Sequence, residues 1–139
     1  MIPTMILVDT NVLIDVIDND PVWADWSQQQ LDIANAVGPV GISDIVYAEL
    51  SMGFPGTAAL DDVINRAGLS IVAPPSEALF LAGRAFLRYR ATGGPRTGVL
   101  PDFFIGAQAA AMKTPLITRD PRRYRTYFPG IELITPSVN

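Results

Sequence analysis

Four acidic residues of this 139-residue chain have the types and settings that could do chemistry: Asp9, Glu49, Asp102 and Asp120. Asp9 ends the apolar run Met5-Ile6-Leu7-Val8 and precedes Val12, Leu13, Val16 and Ile17 at helical spacing. That pattern predicts a buried strand, a carboxylate at its C-terminal end and a helix that begins at once. In an open α/β sheet, ligands bind at the carboxyl ends of the strands. Asp120 likewise follows an apolar run, Leu116-Ile117-Thr118, and Asp102 follows Pro101 at the head of the small-residue, apolar segment 102–112. Taken singly, each has an ordinary alternative. Asp9 and Asp102 could be helix N-caps, and Asp120 a turn residue before Pro121. Glu49 is harder to explain away. On a helical wheel it falls among Ile45, Val46, Leu50 and Met52, and a carboxylate facing a core is costly unless it is paired, metal-bound or protonated. A buried arginine partner is its alternative.

Four carboxylates gathered at one sheet edge would repel one another and raise each other's pKa values. A divalent cation removes that conflict, and it makes water acidic enough to serve as a nucleophile near neutral pH. The composition leaves few other routes. With no histidine and no cysteine, Ser-His and Cys-His catalysis, disulfides and the usual zinc sites are all excluded. Oxygen ligands favour Mg²⁺ or Mn²⁺. The charge distribution is uneven: residues 1–62 hold ten acids and no Lys or Arg, whereas residues 63–139 hold ten bases against four acids, a net of +6. Such asymmetry fits either nucleic-acid contact or charge pairing between the halves. Nine of the ten bases are arginine, which suits bidentate phosphate contacts. Arg84 and Arg88 share a helix face, Arg119, Arg122, Arg123 and Arg125 cluster around Asp120, and Arg96 precedes Asp102. The candidate phosphate ligands are Arg84, Arg88, Arg96, Arg119, Arg122 and Arg123, although any one of them could be an ordinary surface charge.

The elements that must position these residues alternate. Short apolar runs at 5–8, 40–42, 69–72, 116–118 and 131–134 predict strands. Helical spacing predicts helices over 10–17, 22–37, 44–52, about 57–67, 76–90 and 102–112, with 92–101 the longest loop. Asp15 and Asp18 lie off the apolar stripe of the first helix. Trp23, Trp26, Ile33, Ala34 and Val37 form the stripe of the second, the two tryptophans as core or subunit-interface residues. Strands interleaved with helices predict a single α/β domain over 1–139, with a central parallel sheet between helical layers. No apolar run reaches membrane-span length and the first residues lack a basic leader region, so a cytoplasmic protein is expected.

Four segments then carry a resemblance: Ile6-Leu7-Val8-Asp9-Thr10-Asn11-Val12-Leu13-Ile14-Asp15, Ile42-Ser43-Asp44-Ile45-Val46-Tyr47-Ala48-Glu49-Leu50, Leu100-Pro101-Asp102-Phe103-Phe104-Ile105-Gly106-Ala107 and Leu116-Ile117-Thr118-Arg119-Asp120. In order and spacing the chain resembles the PIN-domain nucleases, particularly the VapC-type toxins of bacterial toxin–antitoxin pairs. The resemblance implies a PIN-like three-layer sandwich and a metal-dependent endoribonuclease that hydrolyses RNA phosphodiester bonds. It also implies a homodimer, and a cognate antitoxin that covers the site. By motif match, Asp9, Glu49, Asp102 and Asp120 are the acidic metal-site residues, with Asn11 and Thr118 as polar supports. Gln108 departs from the pattern, since many relatives carry a histidine there. Two other readings compete. A haloacid-dehalogenase-like phosphatase also begins with an aspartate after its first strand, but it needs a second aspartate where this chain has Asn11. A non-catalytic antitoxin-binding module would not need all four acids.

Overall fold

The computed structural model describes residues 5–94 and 100–136. Among these residues twelve elements follow one another: β1 (Ile6–Val8), α1 (Thr10–Ile17), α2 (Ala24–Val37), β2 (Val40–Ser43), α3 (Asp44–Ser51), α4 (Thr57–Arg66), β3 (Leu69–Val72), α5 (Ser76–Ala91), α6 (Leu100–Met112), β4 (Leu116–Ile117), α7 (Arg122–Tyr127) and β5 (Leu133–Ile134). The five strands form one sheet in the order β3-β2-β1-β4-β5, and every pairing is parallel. Helices flank it, as the α/β sandwich reading expects.

The sequence explains why β1 is central. Leu7 and Val8 have no polar neighbour in the run and are fully buried, as are Val40 and Ile42 of β2 and Leu116 and Ile117 of β4. Burial on both faces is what a parallel strand between two helical layers requires. The chain winds outward from β1 to β2 and β3, then returns to β4 on the other side. The order therefore reverses between β1 and β4, and the crevice at their carboxyl ends is the position where such sheets bind ligands. Asp9 and Thr118 follow β1 and β4 directly, so both side chains stand at that crevice.

Several elements differ from expectation, each for a local reason. In α2 the buried residues are Ser27, Leu31 and Ala34, while Ile33 and Val37 face solvent. Ser27 is buried because its hydroxyl donates to Asp15 at 2.8 Å, a partner that hydrophobic spacing cannot reveal. Asp15, expected off the buried stripe, is itself only 1% exposed, and Ile17, expected on it, is exposed. Met52 lies beyond the end of α3 and is exposed, so the apolar stripe around Glu49 is narrower than the wheel implied and Glu49 is half-buried. Helix α6 begins at Leu100, which places Asp102 in its first turn and not at its cap. Helix α7 was not anticipated. Its Tyr124 side chain is fully buried and belongs to the core.

Gly106 ties this core to the crevice. A Cβ there would stand 2.5 Å from the Phe128 ring and 3.0 Å from the Tyr124 ring. Alanine would gain about 1 kcal/mol of helix propensity, whereas overpacking against buried rings costs about 1–3 kcal/mol. Gly106→Ala is therefore expected to lower stability by about 1 kcal/mol in urea unfolding and to displace the Tyr124 ring, seen as a changed near-ultraviolet circular dichroism signal.

Candidate active site

Asp9 is the anchor of the crevice. Its backbone is extended (φ −76°, ψ 153°), so its side chain caps α1 by accepting the Thr10 N–H at Oδ1, 2.8 Å away. The capping role and a site role are thus carried by different oxygens. Oδ2 accepts from the Thr118 hydroxyl at 2.8 Å, the Tyr124 hydroxyl at 2.8 Å and the Asn11 amide at 3.4 Å. Asn11 is held in turn. Its amide also reaches Thr118 Oγ1 at 3.3 Å, and its Oδ1 accepts the Arg119 backbone N–H at 3.1 Å. The Asp120 N–H donates to Thr118 Oγ1 at 3.1 Å. Asn11 and Thr118 therefore join the start of α1 to the turn after β4.

The other acids approach from three directions. Glu49, on α3, accepts the Thr10 hydroxyl at 2.6 Å. Asp102, in the first turn of α6, accepts from Arg123 at 3.1 Å. Asp120 is exposed at the outer edge. Their fields overlap. Burial is the first cause that lifts the pKa of the Tyr124 hydroxyl, followed by the charges of Asp9 and Asp102, with Glu49 also contributing. Burial is likewise the first cause that raises Asp102. The Arg123 hydrogen bond and charge oppose it, and Asp120 adds to it. Asp9 is only 4% exposed, and burial pushes its pKa from 3.8 to about 6, despite hydroxyl and backbone donors that favour the ionised form. Tyr124 thus sits among three carboxylates, and the fourth acts on one of them.

This donor set is all oxygen, which fits a hard divalent cation and no soft metal. Among the described residues, no group of three or more acids is arranged to hold one ion as it stands. Arg123 holds Asp102 toward α7, Thr10 holds Glu49 toward α1, and the Asn11, Thr118 and Tyr124 donors occupy Asp9 Oδ2, so a shared cation would have to displace some of these contacts.

The candidate arginines separate clearly. Arg119 is committed inward. Its guanidinium pairs bidentately with Asp15 at 2.6 and 2.9 Å and stacks over Trp23, 5.4 Å from the ring centroid. With Ser27 also on Asp15, this cluster fastens the turn carrying Thr118 and Asp120 to α1 and α2. Arg88 donates to the Tyr127 carbonyl at 2.8 Å, and Arg84 lies over Phe80. Arg122 and Arg123 line a cleft beside Asp120. Arg96 lies outside the described residues. Sequence reasoning missed Tyr124, Thr10 and the buried partner of Arg119. Tyr124 stands among arginines in Arg122-Arg123-Tyr124-Arg125, where only its amphipathic position hinted at burial. Gln108 is fully buried and donates to the Val72 carbonyl at 3.0 Å, so it joins α6 to β3 away from the acids.

The buried carboxylate makes stability depend on pH. In the unfolded chain Asp9 ionises near 3.8, and in the folded protein near 6. The folded form therefore holds its proton longer, and stability falls as pH rises between those values, by roughly 3 kcal/mol in all. Urea unfolding from pH 4 to pH 7 is expected to show that fall, and Asp9→Asn to remove most of it. An equal fall in the variant would show that Asp9 is not its source.

Comparison with known proteins agrees with this architecture. The family model described as PIN domain matches residues 6–129. No curated protein matches the chain. Among solved structures, VapBC2 from Rickettsia felis bound to a promoter DNA fragment aligns with TM-score 0.71 at 20% identity, over 94% of this chain and 98% of that one. VapBC-1 from nontypeable Haemophilus influenzae aligns with TM-score 0.71 at 18% identity, over 94% and 97%. A toxin–antitoxin complex from Klebsiella pneumoniae aligns with TM-score 0.59 at 26% identity, over 94% and 97%.

Proposed function

The chain belongs to the PIN-domain family, and from that premise we propose that it is a divalent-metal-dependent endoribonuclease of VapC type, the toxin of a toxin–antitoxin pair. The observation that carries the reading is the geometry of the β1–β4 crevice, where buried Asp9 is joined to the end of β4 and to α7 by the Thr118 and Tyr124 hydroxyls, Thr10 next to it holds Glu49, and Arg123 next to Tyr124 holds Asp102. An acid cluster of this kind is stable near neutral pH only if a cation or protons offset it. Similarity to toxin–antitoxin complexes, one of them 26% identical, supports an antitoxin as the partner. The family supports a homodimer.

Asp9, Glu49 and Asp102 would hold the ion, with Asp120 beside them at the edge. When bound, Mg²⁺ or Mn²⁺ acidifies water and offsets the charge that develops on the scissile phosphate. The protein's own groups do the rest. Asp9 cannot swing, because four donors fix it, and it sets the position of the site relative to the sheet. Thr10 orients Glu49 and Thr118 orients Asp9, so α1, α3 and β4 keep a common register. Asn11 stands where a phosphatase of the haloacid-dehalogenase type needs a second aspartate, and here its amide is spent as a donor. That observation weighs against the phosphatase alternative. The intact acid set weighs against a purely regulatory module.

Incubating the purified protein with single-stranded RNA is the direct test. Cleavage is expected with Mg²⁺ or Mn²⁺ and not with EDTA. Asp102→Asn should reduce it at least about a hundredfold, the scale for losing one group that stabilises transition-state charge, while circular dichroism and the unfolding midpoint stay near those of the parent. Chelator-resistant cleavage, or full activity in Asp102→Asn, would overturn the assignment.

A further inference from the structure

Beside the acids lies a second feature that the metal site does not use. Tyr89, Asp120, Arg122, Arg123, Thr126 and Tyr127 line a cleft of about 390 Å³ along one face of α7. We propose that this cleft is a nucleotide subsite, in which Arg122 and Arg123 hold the RNA phosphate next to the scissile one and the tyrosines wall the sugar and base. The proposal rests on the nuclease reading of the adjoining acids.

Three observations carry it. The first is continuity. Asp120 lines the cleft, and Arg123 reaches from it to Asp102 at 3.1 Å, so the cleft adjoins the acids. The second is charge. Two guanidinium groups line the cleft, and the Arg123–Asp102 pair is partly exposed, so a cation at the acids would leave both guanidiniums facing Asp120 alone. Arg122 is exposed, and Arg123 is half-buried with Asp102 as its ion-pair partner and the Tyr89 ring beside it, so both can take a new anionic partner. Arg84 lies over Phe80 and Arg119 pairs with Asp15, both away from the lining, and Arg88 is held by the carbonyl and ring of Tyr127 without lining the cleft. The third is the wall. Tyr89 and Tyr127 meet edge to face with centroids 6.2 Å apart, and the Arg123 guanidinium lies 5.9 Å from the Tyr89 ring. Arginine flanked by aromatic rings is the usual chemistry for unpaired nucleotides.

The arrangement gives Arg123 two alternative partners. With no substrate it offsets Asp102. A cation at the acids would take over that task and free the guanidinium for phosphate. Removing the arginine should therefore weaken RNA binding without weakening metal binding.

The test measures binding of a short single-stranded RNA, with Ca²⁺ replacing Mg²⁺ and the probe shown to be intact afterwards, across a series of salt concentrations. Arg122→Gln and Arg123→Gln are each expected to raise Kd about fivefold to twentyfold and to reduce the salt slope by about 0.7. Arg125→Gln is the matched control: the same charge change on the same helix, outside the cleft, with Kd within about twofold of the parent. Mn²⁺ affinity, read by electron paramagnetic resonance, should be unchanged in Arg122→Gln and unchanged or tighter in Arg123→Gln. If all three variants weaken RNA binding equally, or if neither cleft variant does, the subsite is overturned. Mg²⁺-dependent cleavage by the parent is scored in parallel. Cleavage with unaltered Kd in both cleft variants leaves the nuclease reading and removes the subsite. Arginine-dependent binding without cleavage removes the nuclease reading and leaves a nucleic-acid-binding cleft.

Discussion

A carboxylate buried at the end of a central strand is the constraint on which the rest of this structure depends. Moving one charge out of water is expensive, and it persists only where donors or a counter-charge surround it. Asp9 draws its four donors from three places: Thr10 and Asn11 in the first turn of α1, the end of β4 and the α7 tyrosine. The Thr118 and Tyr124 contacts fasten the two halves of the sheet across the point where strand order reverses. Even so, burial outweighs the donors, and the group holds its proton to about pH 6. A site with such an unresolved cost is suited to a cation in a way that a fully compensated cap is not.

The chain distributes its charges to match. Its N-terminal half is acidic and its C-terminal half basic, and part of that asymmetry is spent inside the fold. The Asp15–Arg119 pair crosses between the halves and, with Ser27 and Trp23, anchors the turn that carries Thr118 and Asp120. The remainder faces outward. Arg122 and Arg123 stand beside the acids, Arg123 balancing Asp102 and both lining the neighbouring cleft with Asp120. Charge pairing between the halves therefore accounts for Arg119, and nucleic-acid contact is the role proposed for Arg122 and Arg123 in the cleft. A guanidinium that pairs bidentately with a buried carboxylate is a poor candidate for an RNA phosphate, which is why Arg119 belongs to the scaffold.

Much of the fold was legible because parallel strands buried on both faces leave uninterrupted apolar runs. Leu7-Val8, Val40 to Ile42 and Leu116-Ile117 could be read directly, and so could the acids that follow them. Ser43 was readable as a cap, and its hydroxyl does accept the Ile45 N–H at 3.2 Å. What was illegible depended on partners distant in sequence. Asp15 looked solvent-facing because its partner lies 104 residues away. Tyr124 lies 115 residues from Asp9, within a short helix whose arginines mask its one buried position. Glu49 was read as core-facing from a wheel that counted Met52 as buried. It is half-buried at the rim, held by Thr10. Periodicity records which face of an element is apolar, but not which polar groups will meet across the fold.

The central claim is that these acids enclose one cation position between α1, α3 and α6. A crystal soaked in Mn²⁺ at neutral pH and measured at the manganese absorption edge tests it most directly. The account predicts an anomalous peak bounded by the carboxylates of Asp9, Glu49 and Asp102, with Arg123 moved off Asp102. Manganese bound only elsewhere on the surface, with Arg123 still on Asp102, would contradict it.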